Sequence, residues 1–122
     1  TGAVYCRTSA DLKHWSHSII VSKGGRTGDG WGAHECPFVV KIDDLFYLFR
    51  TQRYGKNSLT TVYCSANPLN FGLRSDEGYY VTQLEVAAPE LICCQGQWYI
   101  AALNPALDGI RIARLKWVPQ KQ

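Results

Sequence analysis

The feature that most restricts this chain is an internal repeat. Shifted by 52 residues, Pro37-Phe38-Val39-Val40-Lys41-Ile42-Asp43-Asp44-Leu45-Phe46-Tyr47-Leu48 falls without gaps on Pro89-Glu90-Leu91-Ile92-Cys93-Cys94-Gln95-Gly96-Gln97-Trp98-Tyr99-Ile100. Each copy reads as a strand, a two-residue turn and an aromatic strand, and Asp43-Asp44 and Gln95-Gly96 suit tight hairpins. A second echo, at a shift of 56, lays Ser9-Ala10-Asp11-Leu12-Lys13-His14-Trp15 on Ser65-Ala66-Asn67-Pro68-Leu69-Asn70-Phe71. Each of these segments follows a β-rich run, Val4 to Thr8 and Thr60 to Cys64. Ser9 and Asp11 are expected to bond nearby backbone N–H groups while Trp15 packs between sheets. Repetition argues that these residues serve the fold and not one site.

A further strand, Gly109-Ile110-Arg111-Ile112-Ala113-Arg114-Leu115, alternates apolar and polar residues and matches the third-strand position of the preceding unit. No segment keeps apolar residues at helical spacing for three turns. A period of about fifty residues with four short antiparallel strands per unit is how a β-propeller blade is built. The expected fold is therefore all-β, an incomplete β-propeller of about two and a half blades of four-stranded antiparallel sheets. Residues 1–33 would hold the outer half of a blade and a connecting loop, 34–87 a complete blade, and 88–122 most of a further blade. The tail from Trp117 to Gln122 reads as a strand end followed by a frayed terminus. An incomplete propeller exposes apolar blade faces and sheet edges. Either the missing blades lie upstream in a longer chain, the expectation for a sequence that begins inside a strand without Met, or copies associate through the open faces.

Composition fits one globular domain, 46% hydrophobic and 19% charged over 122 residues. The 13 basic and 10 acidic residues are scattered, so nothing points to nucleic acid or an anionic membrane surface. The longest apolar runs, such as Trp98 to Leu103, are far short of a membrane span. The five cysteines, Cys6, Cys36, Cys64, Cys93 and Cys94, fit neither a zinc pattern nor a disulfide scaffold, and read as buried thiols filling small spaces.

The stretch Gly32-Ala33-His34-Glu35-Cys36-Pro37 places a carboxylate at the head of an inner strand, where an ionisable group costs free energy unless it is hydrogen-bonded or used. Pro37 is expected to hold Cys36 extended and so fix the direction of the Glu35 backbone. The bland alternative for Glu35 is a rim carboxylate paired with an Arg.

The chain resembles the five-bladed β-propeller glycoside hydrolases of families 32 and 43 and their relatives. The resemblance is carried by Val4-Tyr5-Cys6-Arg7-Thr8-Ser9-Ala10-Asp11-Leu12-Lys13-His14-Trp15, by Glu35-Cys36-Pro37, by Ala88-Pro89-Glu90-Leu91 with Gln97-Trp98-Tyr99, and by Gly109 to Trp117. It implies a fragment of a glycoside hydrolase acting on poly- or oligosaccharides, with Glu35 as general acid and a carbohydrate as partner. The two further carboxylates of that family lie in blades that would precede Thr1, so the isolated chain is expected to be inactive. A protonated carboxyl at the leaving oxygen and an ionised carboxylate across the sugar ring are what the chemistry needs. The different-class alternative is a non-catalytic carbohydrate-binding or protein-interaction propeller. Export, to the extracellular space or periplasm, suits a polysaccharide-degrading enzyme, but the compartment is open.

Around Glu35, five residues are candidates for binding sugar. Trp31, in Gly28-Asp29-Gly30-Trp31-Gly32, offers a ring for stacking or closes against its own blade. His34 is adjacent but points to the other face of an extended strand. Gln52 and Arg53, in Arg50-Thr51-Gln52-Arg53-Tyr54-Gly55, are hydroxyl donors or part of a solvated hairpin loop. Glu90 is a substrate contact or one half of an ion pair across a blade interface. No cofactor motif and no set of metal ligands is recognised.

Overall fold

The computed structural model describes residues 2–119, and among them nine strands follow one another as antiparallel neighbours in three separate sheets. The first sheet pairs β1 (Val4–Cys6) with β2 (Ile19–Ser22). The central sheet runs β3 (Glu35–Ile42), β4 (Leu45–Arg53), β5 (Leu59–Ser65) and β6 (Tyr80–Leu84). The third runs β7 (Ala87–Cys94), β8 (Gln97–Leu103) and β9 (Ile110–Leu115). The only helical elements among the described residues are single 3-10 turns at Gly25–Thr27 and Gly55–Asn57. The protein is all-β, as its periodicity requires.

Both hairpins of the repeat form where the sequence puts them, with backbone in the left-handed region at Asp43 (φ 53°), Gln95 (φ 50°) and Gly96 (φ 78°). Such φ values match the twist of the strands that two-residue turns join. Alternation along β4 then decides the packing, because successive side chains point to opposite faces. Leu48 turns toward the first sheet and joins Val4, Val21, Tyr63 and Phe71 in one core cluster. Phe49 turns the other way and joins Val62, Leu91 and Ile100 in a second, with Phe38, Val40 and Tyr47 packed against it. The central sheet thus lies between the other two, and each fully buried large apolar side chain contributes about 1.5–3 kcal/mol.

Hydroxyl side chains tie the central sheet to the third. Thr51 Oγ1 accepts the Ala88 N–H at 3.0 Å and lies 2.9 Å from Thr60 Oγ1, while the Thr60 hydroxyl donates to the Val86 carbonyl at 2.8 Å. The third sheet has no counterpart of β6 among the described residues. Over β5 and β6 lies an apolar groove of about 740 Å³, floored by Val62, Val81 and Leu84 and flanked by Leu115 and Trp117. Trp117 packs on Tyr47 at 4.9 Å and on Trp98 at 5.9 Å between ring centroids.

Several expectations are corrected. None of the five cysteines is fully buried: Cys36, Cys93 and Cys94 are exposed, while Cys6, packed against the first core cluster, and Cys64, lining the apolar groove, are half-buried. Trp15 is half exposed instead of packed between sheets, whereas its echo Phe71 is fully buried, since only Phe71 closes onto a second sheet. The Ser9–Asp11 turn itself forms, with Leu12 N–H on Ser9 Oγ at 2.8 Å and His14 N–H on Asp11 Oδ1 at 2.8 Å. Its echo has Asn67 N–H on Ser65 Oγ at 3.0 Å and Leu69 N–H on Asn67 Oδ1 at 3.0 Å. The strand expected over Val4 to Thr8 ends at Cys6. Arg50 to Arg53 belong to β4 and not to a loop after it, and the last strand ends at Leu115, before Trp117. The expected fraying at 120–122 lies outside the described residues.

Candidate functional site

Glu35 opens β3 opposite Thr51, and the next registered pair is Phe38 with Phe49. Cys36 and Pro37 on β3 therefore stand opposite the single residue Arg50 on β4, a β-bulge. Cys36 takes the extra place with φ 44°, so the expected extended backbone before Pro37 is wrong. Left-handed backbone at a non-glycine residue costs on the order of 1–3 kcal/mol and persists only where its surroundings impose it. The same bulge recurs in the third sheet, where Ala87 pairs with Leu103, Glu90 with Ala101, and Ala88 has φ 50°. The bulge is thus a property of the repeat. The carboxylate is not: the residue matching Glu35 in the third sheet is the fully buried Ala87.

Bulges re-aim side chains, and here the result is a small polar cluster. The Tyr54 hydroxyl lies 3.2 Å from Cys36 Sγ. Burial, with hydrogen bonding to Cys36 and Glu35 behind it, pushes the Tyr54 phenol up from its ordinary value. Gly32 lies beside Glu35 with φ 83°, a left-handed backbone that favours glycine. Glu35 is half-buried, and among the described residues it forms no ion pair. The Arg-paired alternative is therefore not what the structure contains.

The loop leading to Glu35 is held by Arg50, which is 1% exposed. Its Nε donates to the Ala33 carbonyl at 2.9 Å, Nη1 to Ser22 Oγ at 3.0 Å, and Nη2 to the Gly24 and Gly28 carbonyls, each at 3.0 Å, and to Thr27 Oγ1. The guanidinium also lies 5.3 Å from the Tyr63 ring centroid, and burial lowers its pKa. Carbonyl oxygens and a ring face replace a carboxylate partner, which satisfies the donors of a buried cation through fixed dipoles.

The other candidates divide. Gln52 joins the same network: its amide N–H groups donate to the Ala33 carbonyl at 3.2 Å and the Arg50 carbonyl at 2.5 Å, and its Oε1 accepts from Thr61 at 2.9 Å. Both N–H donors of Gln52 are thereby engaged within the protein. Trp31 stands 95% exposed on the loop before Glu35. Both ring nitrogens of His34 are buried and, among the described residues, without a hydrogen-bond partner. Burial, reinforced by Arg50, pushes its pKa down to about 4, so the ring is neutral. Arg53 is exposed, donates to the Asn57 carbonyl at 3.0 Å, and lines a separate cavity of about 450 Å³ with Lys56 and Glu85. Glu90 is exposed, occupies the position of Phe38 in the repeat, and forms no ion pair among the described residues.

Glu35, Gln52 and Trp31 thus share one end of the central sheet and the loop before it, while Arg53 and Glu90 lie elsewhere. Sequence reasoning passed over Arg50 and Tyr54. A signal for Arg50 was present: a cation directly after the apolar run Leu45 to Phe49, where the matching position in the next unit is Ala102. Among the described residues, no group of three or more His, Cys, Asp or Glu could hold a metal ion, and no helix is long and apolar enough to cross a membrane. No family model, curated protein or solved structure matches the chain.

Proposed function

We propose that this chain is part of a β-propeller glycoside hydrolase, its three sheets being successive blades and Glu35 the proton donor. One observation carries the proposal. The fold repeats the bulge at the head of the inner strand but repeats no carboxylate there, so Glu35 answers to something other than the fold. Support comes from the half-buried Glu35 carboxyl beside the Tyr54 phenol, which among the described residues forms no ion pair and so is not committed to a cation within the fold. In the reaction the Glu35 carboxyl would protonate the glycosidic oxygen as the C–O bond breaks, and water would supply hydroxide to the sugar carbon. An ionised carboxylate on the opposite face of the ring must assist, and we assign it to a blade outside this chain. Trp31 would stack on the sugar, and Arg50 would hold the loop that carries it.

Amide-resolved NMR titration of the chain with fructosyl, arabinosyl and xylosyl oligosaccharides tests this. One of the three is expected to shift resonances of Trp31, Glu35 and Tyr54, with no turnover of the matching aryl glycosides. Glu35→Gln is expected to leave the fold intact and weaken the shifts several-fold. Absence of shifts with all three sugars, or hydrolysis that Glu35→Gln leaves unchanged, would overturn the assignment. Hydrolysis abolished by Glu35→Gln would keep Glu35 as the acid and remove the need for an outside carboxylate.

A further inference from the structure

Neighbours on a regular strand point to opposite faces, so Glu35 and Cys36 would not ordinarily meet the same third side chain. The bulge changes that. With Cys36 in the left-handed region at φ 44°, and with Cys36 and Pro37 sharing Arg50 as their opposite number, both Glu35 and Cys36 reach the phenol of Tyr54. The Tyr54 hydroxyl lies 3.2 Å from Cys36 Sγ, and the Glu35 carboxylate is its second hydrogen-bonding neighbour. Tyr54 is held in turn. It follows β4 directly, with extended backbone, and leads into the 3-10 turn Gly55–Asn57. That turn is fastened by Arg53 Nε, which donates to the Asn57 carbonyl at 3.0 Å, and by the Ser58 hydroxyl, which donates to the Gly55 carbonyl at 2.6 Å. The half-buried phenol therefore meets the head of β3 from an anchored segment.

The repeat separates what the fold needs from what these side chains add. Shifted by 52 residues, Glu35, Cys36 and Tyr54 become Ala87, Ala88 and Ala106, yet the bulge is kept, with Ala88 at φ 50°. The backbone device thus forms without any of the three functional groups. An ionised carboxylate only accepts hydrogen bonds, a phenol gives one and accepts others, and a thiol is a weak donor. One arrangement uses all of them: the Cys36 S–H donates to the phenol oxygen and the phenol O–H donates to the Glu35 carboxylate, a charge-assisted bond. We propose that Tyr54 is the positioning residue of Glu35, its hydroxyl, backed by the Cys36 thiol, holding the carboxyl in a single rotamer at the head of β3. The inference rests on the reading of Glu35 as proton donor, for which direction matters, because an acid must stand within hydrogen-bond reach of the oxygen it protonates. A protonated carboxyl still keeps an acceptor oxygen for the phenol. Its own O–H is then left to point at the sugar.

Three-bond Hα–Hβ couplings of Glu35, measured by NMR on the 122-residue chain without sugar, test this. The unequal couplings of one rotamer are expected in the unmutated chain. Averaged couplings are expected in Tyr54→Phe, which keeps the ring and removes only the hydroxyl. Cys36→Ser, which keeps a donor at the thiol position, is expected to retain the single rotamer. A packing role for Tyr54 alone would leave the Glu35 couplings of Tyr54→Phe unchanged, and that result overturns the inference. So do averaged couplings in the unmutated chain. Should Tyr54→Phe fail to fold, Glu35→Ala, which installs the residue of the third sheet, reads the contact from its other side: the Tyr54 Cζ resonance is expected to shift, and an unmoved resonance overturns the inference. With sugar absent, this inference and the reading beneath it fail separately. A single Glu35 rotamer lost in Tyr54→Phe supports the contact even where sugar titrations are silent and the glycosidase reading falls, whereas sugar-induced shifts with Glu35 averaged in the unmutated chain remove the contact and keep the glycosidase.

Discussion

The central and third sheets begin from the same pattern and end in different circumstances. Both open on a bulge before proline, both turn through a left-handed residue, and both run as antiparallel meanders. The central sheet has a neighbour on each face. The third has one. Val62 and Ile112 hold the same place relative to their partner strands, opposite Phe49 and Ala101, yet Val62 is 3% exposed and Ile112 71%. Burial here is set by what lies beyond the sheet, so an apolar residue at a repeat position shows where a neighbour could sit without supplying one. The substitutions between the two sheets are equally informative. Where the unit of the third sheet carries Ala102, Ala87 and Val86, the unit of the central sheet carries Arg50, Glu35 and His34, the last just before β3. All three differences introduce an ionisable group, and all three fall at the end of the sheet where the loop from the first sheet arrives.

Exchanging residues between the two sheets tests how far they are equivalent. The largest effect is expected from Arg50→Ala, which installs the residue of the third sheet. It strips hydrogen bonds from Ala33, Ser22, Gly24, Thr27 and Gly28 at once, and unsatisfied buried carbonyls cost on the order of 1–3 kcal/mol each. A loss of about 3 kcal/mol or more is expected in urea unfolding, and a loss below about 1 kcal/mol would show that the loop is held by something else. Next comes the matched pair Val62→Ala and Ile112→Ala. The first should cost about 2 kcal/mol by opening a cavity, the second within about 0.5 kcal/mol at protein concentrations too low for association. Equal costs in dilute solution would mean that the third sheet is covered within the monomer.

The smallest effect is the most specific. His34 has its pKa depressed from 6.5 to about 4 in the folded protein. Between these values the unfolded chain takes up a proton that the folded chain refuses, so stability is fully present above pH 6.5 and falls as pH drops toward 4. His34→Val, the residue of the third sheet, should remove that part of the slope in melting temperature against pH while changing little at pH 7. An unchanged slope would place the titration elsewhere. Asp76 contributes its own, more acidic dependence. Although burial opposes it, its hydrogen bonds with Arg26 (2.8 Å from Arg26 Nε) lower its pKa, and that stabilisation is lost only as pH falls through the folded value.

Much of the architecture was legible in the residues. The 52-residue register named both hairpins and the pairing of their strands, because alternation and turn chemistry are local. It also placed Glu35 at the head of a strand, and β3 begins there. The left-handed Cys36 was not legible, since proline locally favours an extended predecessor and only the cross-strand ladder imposes the bulge. Nor was the role of Arg50. Its acceptors come from Ser22 to Ala33, residues distant in sequence and in a loop without periodicity.

By itself, then, the sequence determined an all-β chain of repeated meanders, because strand period and turn residues are written residue by residue. Which repeat positions became core, which cysteines stayed in solvent, and how a lone buried guanidinium was satisfied were decided only by tertiary structure. Each depends on the neighbour across a sheet face or at the end of a loop, and that neighbour is fixed by packing and not by local pattern.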